Sequence, residues 1–170
     1  MMLDIFLLLI LLICVITDLR SRKIYNKVIY PALLVTLVYH LAAGGLEGLS
    51  HSFIGFLTGL GLLLIPYLMG GMGAGDVKLL ALIGAVKGSM FVFQSFLYIA
   101  ILGAGIAVVV LFARRGMFKS VVYYLASLRN GIVLPGGVSR GSMTATYPYG
   151  VAIAGGVVLC MVIQGGRFLW

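Results

Sequence analysis

MMLDIFLLLILLICVITDLRSRK, residues 1–23, decides the fold class. Only Asp4 interrupts the apolar run over 1–17, which closes on Asp18 and is followed at once by Arg20, Arg22 and Lys23. A helix that crosses a bilayer needs about 20 mostly apolar residues, and this run is that long. It is unlike a secretory leader. No Lys or Arg precedes it, no small-residue cleavage site follows, and the positive charges come after it. The expected element is a retained first span with its N-terminus outside.

The rest of the chain has the same character. Of its 170 residues 62% are hydrophobic and 9% charged, with a mean hydropathy of +1.19, whereas soluble domains carry about 25% charged residues. Charges this sparse cannot cover a globule in water, which excludes soluble and disordered classes. The net charge of +8 is spread between apolar runs and makes no basic face, so no nucleic acid is expected as a partner. The expected fold class is an all-α polytopic membrane protein, a single domain over 1–170.

Further spans are expected at 28–46 and 49–69, joined by an external turn at Gly44, Gly45 and Gly48. A fourth, starting near Gly75, is bracketed by Lys78 and Lys87, whose stems would snorkel to opposite interfaces. Residues 88–113 give a fifth span and 149–163 the core of a sixth. Between these two, 114–140 is too polar to cross. Phe118, Val121, Val122, Leu125 and Leu128 recur at helical spacing there, the pattern of a short helix lying in the interface. Residues 134–150, rich in Gly, Ser and Thr with Pro135 and Pro148, read as a loop feeding the last span.

In this six-span plan ten basic residues fall on one side: Arg20, Arg22, Lys23, Lys27, Lys78, Arg114, Arg115, Lys119, Arg129 and Arg140. Only Lys87 and Arg167 fall on the other. The positive-inside rule then puts both termini outside and the basic connections in the cytoplasm. The same rim attracts anionic lipid headgroups.

The four acids are Asp4, Asp18, Glu47 and Asp76. Asp18 closes the first span and Asp76 opens the fourth, both on the cytoplasmic side and at matched depth. Two carboxylates brought close cannot both ionise easily and hold one proton between them. The ionised member can then take a proton from water while the other donates to a carbonyl oxygen, which is what peptide hydrolysis by an acid pair requires. The plainer alternative pairs Asp18 with Arg20 or Arg22, and Asp76 with Lys78, as ordinary interfacial ion pairs. Cys14 and Cys160 lie in apolar runs without a paired-cysteine motif and read as small buried hydrophobes. His40 and His51 share no metal-ligand spacing, and no metal or cofactor is expected.

Around the last acid the chain reads Gly70-Gly71-Met72-Gly73-Ala74-Gly75-Asp76-Val77-Lys78. Glycines this dense remove side-chain bulk and let an extended substrate approach the carboxylate and add main-chain hydrogen bonds. Close helix packing explains some of them but not the acid that follows. A phosphate loop fits poorly, because no G-K-[S/T] ending is present.

Gly73-Ala74-Gly75-Asp76 matches the G-x-G-D motif of polytopic aspartic peptidases. Asp18-Leu19-Arg20 with Ile24 and Asn26 resembles the D-x-R…I-x-N segment of type IV prepilin peptidases, and Tyr147-Pro148-Tyr149-Gly150 resembles that family's P-[YF]-G segment opening the last span. The three occur in the family's order. The short chain looks most like the compact prepilin peptidases of tight-adherence (Flp) pilus systems. The presenilin and signal-peptide-peptidase group shares G-x-G-D but has more spans and a different first-aspartate segment.

The resemblance implies an endopeptidase in the bacterial cytoplasmic membrane. It would cut the short basic leader from prepilins or pseudopilins at the cytoplasmic face, in association with a pilus assembly machine. Asp18 and Asp76 would be the catalytic pair, with Gly73, Gly75 and Lys78 in the active-site loop. Arg20, Asn26, Pro148, Tyr149 and Gly150 would border the substrate groove. The sequence departs from the long members of the family. Only residues 21–27 separate the first-aspartate segment from the second span, leaving no room for their zinc-binding insert. N-methyltransferase activity, S-adenosylmethionine and zinc are therefore not expected. Tyr25 stands where many members have proline. Two readings of another class remain: a small proton-coupled transporter or channel using the two aspartates as a relay, and a structural subunit of a secretion machine.

Overall fold

The computed structural model describes residues 2–21, 23–69, 72–113 and 149–167. Among them the chain is helical throughout, in the order α1 (Met2–Ser21), α2 (Asn26–Leu68), α3 (Ala74–Lys87), α4 (Ser89–Ala113) and α5 (Tyr149–Arg167). The interfacial helix expected over 118–128, most of the loop expected over 134–150, and Arg22, Gly70, Gly71 and Pro148 lie outside the described residues.

Three of these helices are long and apolar enough to cross a membrane: α1, α2 and Ser89–Ile106 of α4. The 20 residues of α1 rise about 30 Å, the thickness of a bilayer core. Its buried residues are Leu7, Ile10, Leu11, Cys14 and Asp18, a stripe at helical spacing. Leu8, Leu9, Leu12, Ile13 and Ile16 on its other faces are exposed. Leucines and isoleucines turned outward in this number suit lipid.

The 43 residues of α2 would measure about 65 Å if straight, twice what a bilayer accepts. They are not straight. Gly45 leaves the helical region at φ 58° and ψ −144°, a conformation glycine enters without a side-chain penalty. Just beyond, Gly48 lies against the carbonyl of His40 with no room for a Cβ. Contacts with α3 fix the fold-back independently. Lys78 reaches Asn26 at the start of α2, while Leu80, two residues on, abuts Gly59. Both hold only if the arms 26–44 and 46–68 run side by side. These arms correspond to the segments expected at 28–46 and 49–69, and the chain turns where the glycines were expected to turn it.

α3 differs from expectation in its surroundings. Its 14 residues rise only about 21 Å, and Val77 and every residue from Leu79 to Val86 are buried. It is the centre of the bundle, touching α1, α2, α4 and α5. Against the second arm of α2, Gly55 and Gly84 approach so closely that a Cβ on either would run into the other's carbonyl oxygen. Ser52 Oγ in the same seam donates to the Ala85 carbonyl at 2.8 Å. Small residues that let backbones meet are how helices associate where lipid removes the hydrophobic drive. The two lysines, expected to snorkel, find protein partners: Lys78 at Asn26 and Tyr30, and Lys87 in an ion pair with Asp4 of α1.

Gly88, at φ 90°, is the single residue joining α3 to α4. α4 and α5 then pack antiparallel, with Gly103 against the Tyr149 ring at one end and Gly156 against Ile99 further along.

Candidate active site

Asp18 stands one turn from the end of α1, on the buried stripe, and is only 5% exposed. Its Oδ2 accepts a hydrogen bond from the Gly150 backbone N–H at 2.9 Å. Gly150 is the second residue of α5, so its N–H is one of those a helix start leaves without an internal partner, at the end where the helix dipole favours negative charge. A Cβ on Gly150 would lie 2.7 Å from that same oxygen. Glycine is required for the carboxylate to come this close.

Asp76 occupies the third position of α3 and is held by another helix start, its own. Its Oδ2 accepts from the Gly73 N–H at 3.3 Å, and its backbone N–H donates to the Gly73 carbonyl at 3.1 Å. The result is a reciprocal cap. Asp18 stands near enough for its charge to act on Asp76. Half-buried Tyr149 is in electrostatic range of Asp76. Two carboxylates thus converge from different helices, each seated on a helix N-terminus.

Of the other residues singled out by sequence, Gly73 caps Asp76. Gly75 backs onto Ile24, whose Cβ would be 2.8 Å from a Cβ placed there. Tyr149 and Gly150 border the pair from α5. Arg20 is exposed beyond Asp18 on the last turn of α1. Asn26 and Lys78 meet each other rather than the aspartates: Lys78 Nζ donates to Asn26 Oδ1 at 3.0 Å and to the Tyr30 hydroxyl at 3.2 Å, with the ammonium 5.3 Å from the Tyr30 ring centroid. Ordinary ion pairing of Asp76 with Lys78, or of Asp18 with Arg20, is not seen among the described residues. Sequence reasoning missed Tyr30. Its signal was the four-residue spacing from Asn26, which puts both on one helix face.

The charges at the other end of the bundle are of another kind. Asp4 lies 14 residues before Asp18, about 21 Å along α1, and pairs with Lys87, which also stacks over Phe91 at 5.4 Å. Cys14 and Cys160 are free and buried, as expected. Among the described residues no three His, Cys, Asp or Glu side chains gather as a metal site. His40 Nδ1 is spent on the Thr36 carbonyl at 2.9 Å.

A bundle that is helical among the described residues, with an apolar exterior and three helices able to cross a bilayer, fits an integral membrane protein, and it holds two aspartates near one end. The sequence model of the type IV leader peptidase family matches residues 5–108. That is more than half of the chain and includes both aspartates. The chain belongs to this family and is a peptidase. No curated protein and no solved structure matches it.

Proposed function

We propose that the protein is an aspartic endopeptidase that removes the short basic leader from type IV or Flp-like prepilins, with Asp18 and Asp76 as a water-activating dyad. The observation that carries this is that Asp18, held at the start of α5, stands within electrostatic reach of Asp76, held at the start of α3, in a chain of the leader peptidase family. Like charges held close share a proton. The ionised aspartate accepts a proton from water as it attacks the scissile carbonyl, and the protonated one donates to the carbonyl oxygen. The tetrahedral intermediate then collapses as a carboxyl returns a proton to the departing amine. The open, glycine-lined loop at Gly73 and exposed Ala74 gives an extended leader access to Asp76.

In this proposal α1, the two arms of α2, and α3, α4 and α5 are the six membrane segments. The basic rim supports reading the acid pair at the cytoplasmic face of the inner membrane, with both termini outside. The prepilin's apolar stem enters laterally from the bilayer. The relay reading for a transporter is less favoured, because both aspartates stand at one end of the bundle while the far end holds the Asp4–Lys87 ion pair. Purified protein in proteoliposomes separates the two. Incubated with an Flp-type prepilin, it is expected to yield the mature pilin, with a mass lower by the leader. An intact prepilin alongside a proton-driven flux sensitive to Asp18→Asn would favour the transporter.

A further inference from the structure

The two carboxylates are held by different parts of the chain, and something must fix their separation. Asp18 belongs to α1 and is pinned to α5 through Gly150. Asp76 belongs to the first turn of α3, and its own hydrogen bonds reach back only to Gly73, which is exposed. Those bonds stabilise the turn but do not locate it. The buried body of α3 is located by its packing in the bundle, and its first turn is met in addition by the non-helical residues 23–25 and the start of α2, immediately downstream of the Asp18 segment. Ile24 packs on Gly75, and the ammonium of Lys78 is gripped by Asn26 Oδ1, the Tyr30 hydroxyl and the Tyr30 ring.

We propose that Tyr30 and Asn26 are positioning residues: they hold Lys78 as a strap between the start of α2 and the first turn of α3, and so set where Asp76 stands against Asp18. The chemistry of the grip supports this. All of Lys78's observed partners are neutral, so its position is fixed without a carboxylate being used. Residues two apart on a helix point about 200° from one another, and the strap keeps the cation on the side away from Asp76. Without it, the flexible lysine stem is free to leave this side of α3, and the first turn loses its tie to α2. Tyr30 contributes twice, as a hydroxyl acceptor and as a ring face for the cation.

For its activity readout the proposal rests on the dyad reading above, so the test has a second readout that does not. Prepilin cleavage is compared for wild type, Tyr30→Phe, Tyr30→Leu, Lys78→Met and the Tyr30→Leu/Lys78→Met double variant, each with its melting temperature. Tyr30→Leu and Lys78→Met are expected to lower kcat about tenfold or more with little change in KM, the pattern of misplaced reacting groups. Tyr30→Phe, which keeps the ring, should recover part of the loss. The double variant should be no slower than Lys78→Met alone, because residues acting through one another are non-additive. Independently, Asp18→Cys and Asp76→Cys are combined in a Cys14→Ala/Cys160→Ala background and joined by a short bis-thiol reagent. Tyr30→Leu or Lys78→Met should slow that cross-link severalfold. A slowed cross-link without cleavage by wild type would uphold the strap and sink the peptidase reading. Unchanged cross-linking, or losses that multiply in the double variant, would overturn the strap.

Discussion

At the scale of single residues, Asp18 is notable for its register. It continues the buried stripe of Leu7, Leu11 and Cys14, a place that sequence periodicity would give to a hydrophobe, and its cost is met by the Gly150 N–H. Gly150→Ala should therefore displace the carboxylate and lower cleavage by about 100-fold, the scale of a 1 Å misplacement, with folding retained; kcat beside a thermal melt checks this. Asp76 carries two roles that substitution can separate. Asp76→Asn keeps an oxygen for the Gly73 N–H and should abolish cleavage with an unchanged melt. Asp76→Ala should also lose about 0.5–1 kcal/mol of stability through the lost cap. Both aspartates were legible in the sequence, because acids are so few that each needed an explanation. Tyr30 was not, since an interfacial tyrosine looks the same whether it meets lipid headgroups or a lysine.

At the scale of elements, the turn in α2 was legible and the setting of α3 was not. Gly44, Gly45 and Gly48 mark a reversal because a backbone at positive φ favours glycine, and the structure uses Gly45 for it. For α3 the apolar run between two lysines gave no hint of its neighbours. A helix surrounded by lipid and one surrounded by protein are both apolar all round, and hydropathy does not distinguish them. The seam glycines carry that information: Gly55 and Gly84 exclude each other's Cβ. Gly84→Leu should force α3 off the second arm of α2 and cost several kcal/mol, as overpacking a tight core does. The expected result is a large fall in melting temperature in detergent and little folded protein. The same substitution at Gly61, which has open space around it, should be tolerated. The segment after α4, read from sequence as a basic interfacial helix, lies outside the described residues.

At the scale of the whole molecule, the bundle has two unlike ends about 21 Å apart along α1: the two aspartates with Arg20 and Lys23 beside them in sequence, and the Asp4–Lys87 ion pair with the α2 turn. That polarity predicts a labelling pattern in intact cells. A membrane-impermeant thiol reagent should reach Leu46→Cys, 80% exposed at the turn, and should reach Arg20→Cys only after permeabilisation, both in a Cys14→Ala/Cys160→Ala background. The reverse pattern would invert the proposed topology. Partly exposed ion pairs contribute about 0–1 kcal/mol, so Asp4→Asn should change the melt slightly and leave cleavage intact. This makes it the control for the measurement that tests the dyad most directly: cleavage of a co-expressed Flp-type prepilin, scored by its size shift, for wild type, Asp18→Asn, Asp76→Asn and Asp4→Asn at matched membrane expression. The dyad predicts full processing by wild type and Asp4→Asn, and none by Asp18→Asn or Asp76→Asn. Processing that survives loss of either Asp18 or Asp76 would contradict it.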